Sequence, residues 1–370
     1  MLGPLLRFWS LWSLLVGTAH AHVGAGVIAV GVTGIDSAET RLLLIDTTVD
    51  VATTPLERGT VVHRAGHAPV GGIVDDGQLA LVVQAGSHDD GLLVLRDLQT
   101  GREHALLDGV MTTHAPLVRR RADRSPEIIA VRRGSEGIAG TSFDIVAVDV
   151  SSSTGQVLAS APRLWLTPVR GAALDVAFLV IDGGPGFQAS GNTTGNTTGN
   201  TDGHAHVDVV KDGVLARRWT LGPGTFRSPV CTASRCVVES ERAGHAVLLD
   251  DQGHVVLTGR PGLQPVASAT TLAVSSSHKD GSVVVAVGDG PFTRWTSGRA
   301  GVARPLALVE TAGDSAGAGD SVIVAWIDRG PMEPGELWAI AAKGAKRLLP
   351  GAERTAVTVY GVLPGSDGGR

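Results

Sequence analysis

Aromatic residues and surplus positive charge are both scarce in this chain of 370 residues. Aromatic side chains make up 4% of the sequence, and Tyr360 is the one tyrosine. Such a composition disfavours the stacked aromatic surfaces with which proteins bind bases or sugar rings. The net charge of −5 leaves no broad positive field that could collect phosphate groups. We therefore expect no nucleic-acid partner.

Long hydrophobic runs are missing beyond the first 21 residues. Within that segment, Arg7 precedes a short apolar run from Phe8 to Val16, and Ala19-His20-Ala21 matches the small-x-small rule for signal cleavage. We predict a signal peptide over residues 1–21, with an uncleaved anchor as the alternative. The mature chain is expected to be exported to the periplasm or the extracellular space, to cross no membrane and to be a monomer.

Cysteine is limited to Cys231 and Cys236. β-like runs flank the pair, so a short hairpin loop would place the two thiols opposite each other. The spacing is longer than the Cys-x-x-Cys of redox enzymes, and no further metal ligands are near in the sequence. In an exported chain, we predict that Cys231 and Cys236 form a structural disulfide.

A helical period is also missing from the mature region, where apolar residues alternate or form short runs between Gly, Asp and Pro. This pattern argues against a parallel α/β sheet, which needs crossover helices. One pattern of β-rich runs instead recurs about seven times. Its clearest part is an apolar run that ends in an acidic residue and is followed by a turn: Leu92–Asp97 then Thr100-Gly101, Ile145–Asp149 then Thr154-Gly155, and Ala246–Asp250 then Gln252-Gly253.

A repeat of this length, made of strands and turns, is typical of the blades of a β-propeller. We predict an all-β fold, a single β-propeller over residues 22–363, with seven blades of four antiparallel strands; six or eight blades are the alternatives. Each sheet is expected to be built from one recurring segment. Because propellers commonly close by pairing strands from both chain ends, we expect Val357–Tyr360 to lie in the same blade as the first mature strand or in the adjacent one.

Two segments depart from this pattern. Residues 183–203 form a low-complexity polar tract that cannot bury apolar surface, and we predict a flexible loop within the fourth blade. Asn192 and Asn196 match the N-glycosylation pattern, although repeat slippage explains the tract better in a bacterial protein. Residues 364–370 are expected to be a flexible tail.

Two stretches resemble known repeats. Val74–Val82 is similar to the Asp-Gly turn that leads into a blade strand of the exported bacterial WD40-like and TolB-type β-propeller repeat proteins. Leu95–Gly101 is similar to their strand that is followed by an Asp-x-x-Thr-Gly turn. The resemblance extends over most of the mature chain. It implies a binding scaffold, usually for other proteins, with no fixed catalytic set.

One motif has the form of a catalytic nucleophile. Gly313-Asp314-Ser315-Ala316-Gly317 matches Gly-x-Ser-x-Gly, in which the serine of a hydrolase occupies a turn between a strand and a helix. Here a β-like run begins at Val322 where the helix should be. We therefore interpret the motif as a duplicated loop sequence and predict no catalytic residue.

Three groups of residues have the composition of metal sites but lack further ligands or, for His63 and His67, the helix that their i, i+4 spacing would need. They are Asp75 and Asp76 with Ser87–Asp90, the alternating His204 and His206, and the pair His63 and His67. Calcium needs six to eight converging oxygens, and zinc needs more than two histidines. We predict neither a metal site nor a cofactor.

Arginines concentrate before the third repeat, at Arg119–Arg121, Arg124 and Arg132–Arg133. Acidic residues dilute this group, which would form either a partner-binding patch or a solvated loop.

These observations predict an exported, non-enzymatic binding or scaffolding propeller of the bacterial cell envelope, whose partner is another envelope protein. Loops at one end of the ring would form the contact surface. The alternative is a hydrolase or lactonase-type propeller enzyme with a site at the central channel, which needs three or more Asp, Glu or His residues converging there. A surface adhesin is a third hypothesis that the composition neither favours nor opposes.

Overall fold

The residues described by the computed structural model fold into 28 β-strands and no helix. They are residues 27–34, 39–46, 60–64, 69–75, 77–85, 90–121, 125–137, 140–161, 167–168, 176–182, 204–211, 214–223, 226–232, 234–240, 245–250, 253–257, 265–268, 270–310, 321–330, 333–349 and 355–362. The predicted signal peptide, polar tract and tail lie outside them. None of the described residues belongs to a helix that could span a bilayer.

The strands of the first half are β1 (Val27–Gly34), β2 (Glu39–Asp46), β3 (Thr60–Arg64), β4 (Val70–Ile73), β5 (Gln78–Gln84), β6 (Asp90–Asp97), β7 (Glu103–Met111), β8 (Leu117–Arg120), β9 (Pro126–Gly137), β10 (Gly140–Asp149), β11 (Gly155–Ala161), β12 (Thr167–Pro168), β13 (Val176–Asp182) and β14 (His204–Lys211). Those of the second half are β15 (Val214–Pro223), β16 (Phe226–Cys231), β17 (Cys236–Ser240), β18 (His245–Asp250), β19 (Gly253–Leu257), β20 (Val266–Ala267), β21 (Thr271–Ser275), β22 (Ser282–Val287), β23 (Thr293–Thr296), β24 (Val302–Glu310), β25 (Ser321–Asp328), β26 (Glu336–Ala341), β27 (Gly344–Leu349) and β28 (Thr355–Val362).

Within the described residues, these strands form four-stranded antiparallel units that we number in chain order. Unit 1 contains β28, β1, β2 and β3, unit 2 contains β4–β7, unit 3 β8–β11, unit 4 β12–β15, unit 5 β16–β19, unit 6 β20–β23 and unit 7 β24–β27. Units 2 and 3 join into one larger sheet through the pairing of Val110 on β7 with Arg132 on β9.

A hydrophobic cluster lies between every two consecutive units, and a further cluster joins unit 7 to unit 1. At that last interface, Ile28 and Val30 of β1 pack with Val324 and Leu337 of unit 7. The first strands of the units lie next to one another around the centre of the ring. Starting from β28 of unit 1, the neighbours are β4 and then β8 in one direction, and β24, β20, β16 and then β12 in the other. The chain therefore folds as an all-β propeller, as the repeats predicted.

Burial on both sides explains the apolar runs of the sequence. On β5, Leu79 and Leu81 pack towards unit 1, whereas Ala80 and Val82 pack towards unit 3. Since both faces of each sheet are covered, both sets of alternating side chains must be apolar.

Each sheet combines strands from two adjacent recurring segments, so the expectation of one segment per sheet is wrong. Leu117–Arg120, which ends the second segment in sequence, forms β8 and pairs with β9 of unit 3. Phe226–Cys231 likewise ends the fourth segment but pairs with β17 of unit 5. The final strand of a segment thus becomes the innermost strand of the next sheet, and the chain itself links neighbouring sheets.

The two chain ends meet in unit 1, where β28 pairs with β1 over Ile28 to Gly34, as expected for Val357–Tyr360. The buried Tyr360 extends towards unit 2, where its hydroxyl donates to the carbonyl of Pro69 at 3.4 Å. A Cβ added at Gly31 would lie 2.6 Å from the Tyr360 ring. The absent side chain at Gly31 therefore makes room for Tyr360 between units 1 and 2.

The recurring acidic residue at the end of a strand caps the turn that follows. Asp97 Oδ1 accepts hydrogen bonds from the backbone N–H groups of Gln99 and Thr100 at 2.9 and 2.7 Å. Asp149 Oδ1 accepts from the hydroxyl and the N–H of Ser151. These bonds stabilise the ionised form, so the Thr100 N–H lowers the pKa of Asp97 and the Ser151 hydroxyl lowers the pKa of Asp149 to about 2.

In the structure, the second of these two turns is shifted by two positions from the alignment of Thr154-Gly155 with Thr100-Gly101 that the sequence indicates. Gly101 donates its N–H to the carbonyl of Asp97, and Ser153 donates in the same way to Asp149, both at 2.9 Å. Both residues have a left-handed backbone, with φ of 69° and 55°. Ser153, and not Gly155, is therefore the counterpart of Gly101.

Cys231 and Cys236 form the predicted disulfide at the hairpin between β16 and β17, where they are paired and fully buried. The hairpin loop also binds unit 6. Ser234 Oγ donates to Asp289 Oδ1, and Arg235 Nη1 donates to the carbonyl of Gly290, both at 3.1 Å. The disulfide therefore stabilises a loop that connects two units.

Replacing both cysteines by alanine is expected to lower the free energy of unfolding by about 2 kcal/mol, because the crosslink no longer restricts the unfolded chain. Chemical denaturation of the oxidised protein and of Cys231→Ala/Cys236→Ala measures the difference. Reductant should destabilise the unsubstituted protein and leave the variant unchanged. Equal stability of the variant and the oxidised protein would contradict a structural role.

The ends of the strands separate onto two faces of the ring, because neighbouring strands within each unit are antiparallel. The strand ends at which the first strand of a unit leads to the second, and the third to the fourth, lie on one face, which we call the turn face. The strand ends at which the second strand leads to the third, and the fourth to the next unit, lie on the opposite face, the loop face. Contacts between units follow this division: Asp90 pairs with Arg133 on the loop face, and Ser234 pairs with Asp289 on the turn face.

Candidate functional site

Glu336, the first residue of β26, places a nearly buried carboxylate at the loop face between units 6 and 7. Its side chain is 8% exposed, and its Oε2 accepts a hydrogen bond from Trp338 Nε1 at 3.0 Å. Residues two apart on a strand share a face, so the two side chains point together towards unit 6. A Cβ added at Gly335 would clash with the Trp326 ring, which therefore covers the backbone just before Glu336.

Two arginines from different elements converge on this carboxylate. Arg299, between β23 and β24, donates from Nε to Oε2 at 3.3 Å and from Nη2 to Oε1 at 3.4 Å. Arg347, opposite Trp338 in the register of β27, donates from Nη1 to Oε1 at 3.3 Å. The Arg299 guanidinium also lies 6.0 Å from the centre of the Trp338 ring. We call Arg299, Glu336, Trp338 and Arg347 the Glu336 cluster.

The charge balance of the Glu336 cluster is positive. Burial alone would raise the pKa of Glu336, but the hydrogen bonds from the Trp338 indole and from both arginines outweigh burial and hold this pKa below its ordinary value. The carboxylate is therefore ionised at neutral pH. One negative charge faces two positive ones, and the arginine side chains are 43% and 50% exposed.

Ion pairs surround the cluster on the same face. They are Arg304–Asp328 at 2.7 Å, Arg329–Glu333 at 2.6 Å and Arg294–Asp280. Each of these carboxylates has one arginine, whereas Glu336 has two. Among these described ion pairs, the excess positive charge is therefore located at the Glu336 cluster.

Backbone hydrogen bonds fix the loop that carries Arg299. Gly301 donates its N–H to the carbonyl of Lys279 at 3.0 Å and accepts from Gly281 at 2.9 Å. These bonds join the connection between β21 and β22 to the connection between β23 and β24. The exposed Lys279 is thereby held on the same surface as Arg299.

A second charged group is buried in unit 4. His206 Nε2 lies 3.3 Å from Asp208 Oδ2, and Arg218 donates to both oxygens of Asp208 at 2.7 Å. His204 and His206 both lie on β14, but the side chain of His204 is outside the described residues. In the described part of the chain, no three His, Cys, Asp or Glu side chains are grouped so that they could hold a metal ion.

The structure divides the predicted arginine cluster between the two faces of the ring. On the turn face, Glu127 accepts from Arg119 at 2.5 Å and from Arg121 at 2.6 Å. Arg133 pairs instead with Asp90 on the loop face, at 3.1 Å. These arginines do not form one continuous patch.

The other predicted site residues are not brought together. Asp75 Oδ1 accepts the N–H of Gly77 at 2.9 Å, which makes it a turn residue. The remaining candidates lie outside the residues or side chains that the structure describes: Asp76, Ser87, His88, Asp89, His63, His67, Arg124 and Ser315. In the described innermost strands, Glu310 is the one acidic residue, and histidine does not occur.

Sequence reasoning did not identify the Glu336 cluster. Glu336-x-Trp338 at the start of an apolar run was a local signal, since a charge there needs a partner. Its partners are distant, however: Arg347 is 11 residues away and Arg299 is 37 residues away. No spacing rule connects these positions before the sheet and its neighbour are assembled.

Comparison with known proteins identifies the fold but no family. No family model matches the chain, and no relative is found among curated proteins. The β-propeller domain of the Trilobed protease from Pyrococcus furiosus is similar over 84% of this chain and 90% of its own length, with a TM-score of 0.50 and 11% identity. That domain has an open velcro topology, whereas here β28 pairs with β1.

Two further structures are similar. A prolyl endopeptidase matches 94% of this chain with a TM-score of 0.52 and 13% identity, and the chain spans about half (53%) of that protein. TolB from Acinetobacter baumannii matches 79% of this chain and 68% of its own length, with a TM-score of 0.45 and 14% identity. At these identities the similarity concerns the fold alone.

Proposed function

We propose that this chain is an exported, non-enzymatic propeller of the bacterial cell envelope that binds another envelope protein on its loop face. Its seven units would be the complete set of blades, and the contact surface would lie at units 6 and 7. The disulfide between Cys231 and Cys236 supports export, because such bonds persist in oxidising compartments.

The Glu336 cluster is the observation that carries this proposal. One arginine would satisfy a buried carboxylate, yet two converge on Glu336 and keep much of their surface in solvent. Arginine and tryptophan are the residues that most often carry binding energy in protein interfaces. A second, half-exposed guanidinium adds little to stability, because exposed ion pairs contribute little. It offers a fixed group of donors to a partner.

The ring is suited to this role because hydrogen bonds hold two loops of the loop face together. The loop between β21 and β22 begins and ends in largely buried strands, and hydrogen bonds through Gly301 join it to the loop between β23 and β24. Such a surface loses little conformational entropy when it binds, which favours affinity.

Photo-crosslinking from single positions tests the proposal. A photoreactive amino acid at Lys279, on the loop face, is expected to give one discrete adduct with an envelope protein in the organism that makes this chain. The matched control is the same amino acid at Lys343, which is exposed on the turn face of unit 7. Absence of an adduct from Lys279, or equal adducts from both positions, would contradict binding at the loop face.

A further inference from the structure

The two arginines of the Glu336 cluster have donors that Glu336 does not use. Arg347 donates to the carboxylate from one nitrogen, and Arg299 donates from two. A guanidinium carries five N–H donors, so most donors of Arg347 and several of Arg299 remain directed elsewhere. Since Glu336 is nearly buried and the arginines are half-exposed, an approaching ligand meets the guanidinium groups before the carboxylate.

From this geometry we infer that Arg299 and Arg347 form a carboxylate clamp, and that the partner inserts an acidic segment, an aspartate or glutamate side chain on an extended stretch, between them. The inference rests on the proposed function for the statement that the ligand belongs to a protein. The planar fork of arginine matches a carboxylate in a bidentate manner, which the point charge of lysine does not.

The surroundings favour a negatively charged ligand. The described carboxylates that flank the cluster, those of Asp280, Asp328 and Glu333, each pair with an arginine of their own. Glu336 balances only one of the two positive charges of Arg299 and Arg347. Lys279 adds a further cation on a loop that is hydrogen-bonded to the loop of Arg299. An acidic segment therefore gains a second contact beyond the clamp.

The clamp is organised before a ligand binds. Glu336 orients both guanidinium groups, and the Trp338 ring supports Arg299 from below. Free arginine side chains lose rotamer entropy when they bind, and much of that loss has already occurred here. Binding should weaken with salt because the arginines are half-exposed.

The probe that tests the clamp is a fluorescein-labelled oligoaspartate peptide with an amidated C-terminus, measured by fluorescence polarisation at low ionic strength. We expect R299Q/R347Q to raise the Kd at least about tenfold, as loss of two charge-assisted contacts implies. R102Q/R120Q removes two exposed arginines from the turn face and the same net charge, and it should change the Kd less than about twofold. Oligoasparagine of the same length should not bind.

A charge-conserving variant separates the clamp from general electrostatic attraction. R299K/R347K keeps the net charge and two cations at the site, so it is also the safer variant for folding, which circular dichroism checks. We expect it to bind several-fold more weakly than the original protein, about three- to tenfold, because lysine lacks the planar fork. Unchanged binding by this variant, or equal losses in the loop-face and turn-face glutamine variants, would overturn the clamp.

Two further comparisons complete the test. Competition with succinate distinguishes a protein carboxylate from a free one, and comparison with the photo-crosslinking result distinguishes the carboxylate clamp from the proposed function. Succinate at the same carboxylate concentration should displace the peptide poorly, and full displacement would assign the site to free carboxylates and overturn the acidic-segment inference. If Lys279 captures a partner but oligoaspartate does not bind, the clamp is wrong and the proposed function stands. If oligoaspartate binds through both arginines but no partner is captured, the clamp stands and the proposed function is wrong.

Discussion

Deletion of residues 355–370 is expected to lower the melting temperature by more than about 10 °C or to prevent folding, because it removes the strand that closes the ring. Without β28, β1 loses one of its two hydrogen-bonded partner strands, over Ile28 to Gly34, and becomes an edge strand. The cluster between units 1 and 2 loses Tyr360, and the cluster between units 7 and 1 loses Val357 and Val359. Loss of one buried aromatic residue alone costs about 3–5 kcal/mol.

The matched control is deletion of residues 364–370, which follow β28. It should leave the melting temperature within about 1 °C of the full chain, because the sequence predicts a flexible tail there. Thermal unfolding followed by circular dichroism measures both truncations. A synthetic peptide that spans residues 355–362 should raise the melting temperature of the shorter protein when it is added in excess. A protein ending at residue 354 that melts like the full chain would contradict closure by β28.

Gly301→Ala is expected to destabilise the protein by about 2–5 kcal/mol, because it combines backbone strain with a steric clash. The φ of Gly301 is 137°, a region that residues with a Cβ avoid. The added Cβ would also lie 2.7 Å from the carbonyl oxygen of Asp328 and 2.8 Å from Cγ2 of Ile327. Neither neighbour can move easily, since Asp328 contributes its backbone and Ile327 is fully buried.

Gly298→Ala is the control in the same loop. Its φ is 72°, but no atom lies within 4 Å of the added Cβ, so this substitution should cost only about 1 kcal/mol. Urea denaturation followed by tryptophan fluorescence compares the two variants. Because Gly301 joins the loops that carry Lys279 and Arg299, Gly301→Ala should also weaken oligoaspartate binding, whereas Gly298→Ala should not. Equal costs for the two variants would show that the close approach at Gly301 is unimportant.

The strands and turns of this fold were largely readable from the sequence. Apolar runs such as Leu79–Val82 indicated strands, and the spacing of Cys231 and Cys236 indicated a disulfide across a hairpin. The acidic residue that ends β6 and β10 was visible as a repeat, and the structure explains it as a turn cap. These features depend on neighbours a few residues away, so a local pattern suffices to predict them.

The grouping of strands into sheets was not readable in the same way. The repeat has the same length whether a segment is taken to begin with the innermost or with the second strand of a sheet. The sequence therefore does not show at which strand one sheet ends and the next begins. The pairing of β8 with β9 and of β28 with β1 decides where each sheet begins. The alignment of the two turns by their Thr-Gly pairs was wrong because Ser153, and not a glycine, adopts the left-handed backbone that Gly101 adopts in the preceding unit.

By itself, the sequence determined that the chain forms short strands, buries them on both faces and caps their turns, because side-chain alternation and turn chemistry act within a few residues. Only the tertiary structure decided how the ends of the chain close the ring and which charged groups meet. Glu336 and Arg299 are separated by 37 residues and lie in different elements, so their contact exists only once units 6 and 7 have packed. The candidate site is therefore a product of packing between sheets, which no local pattern encodes.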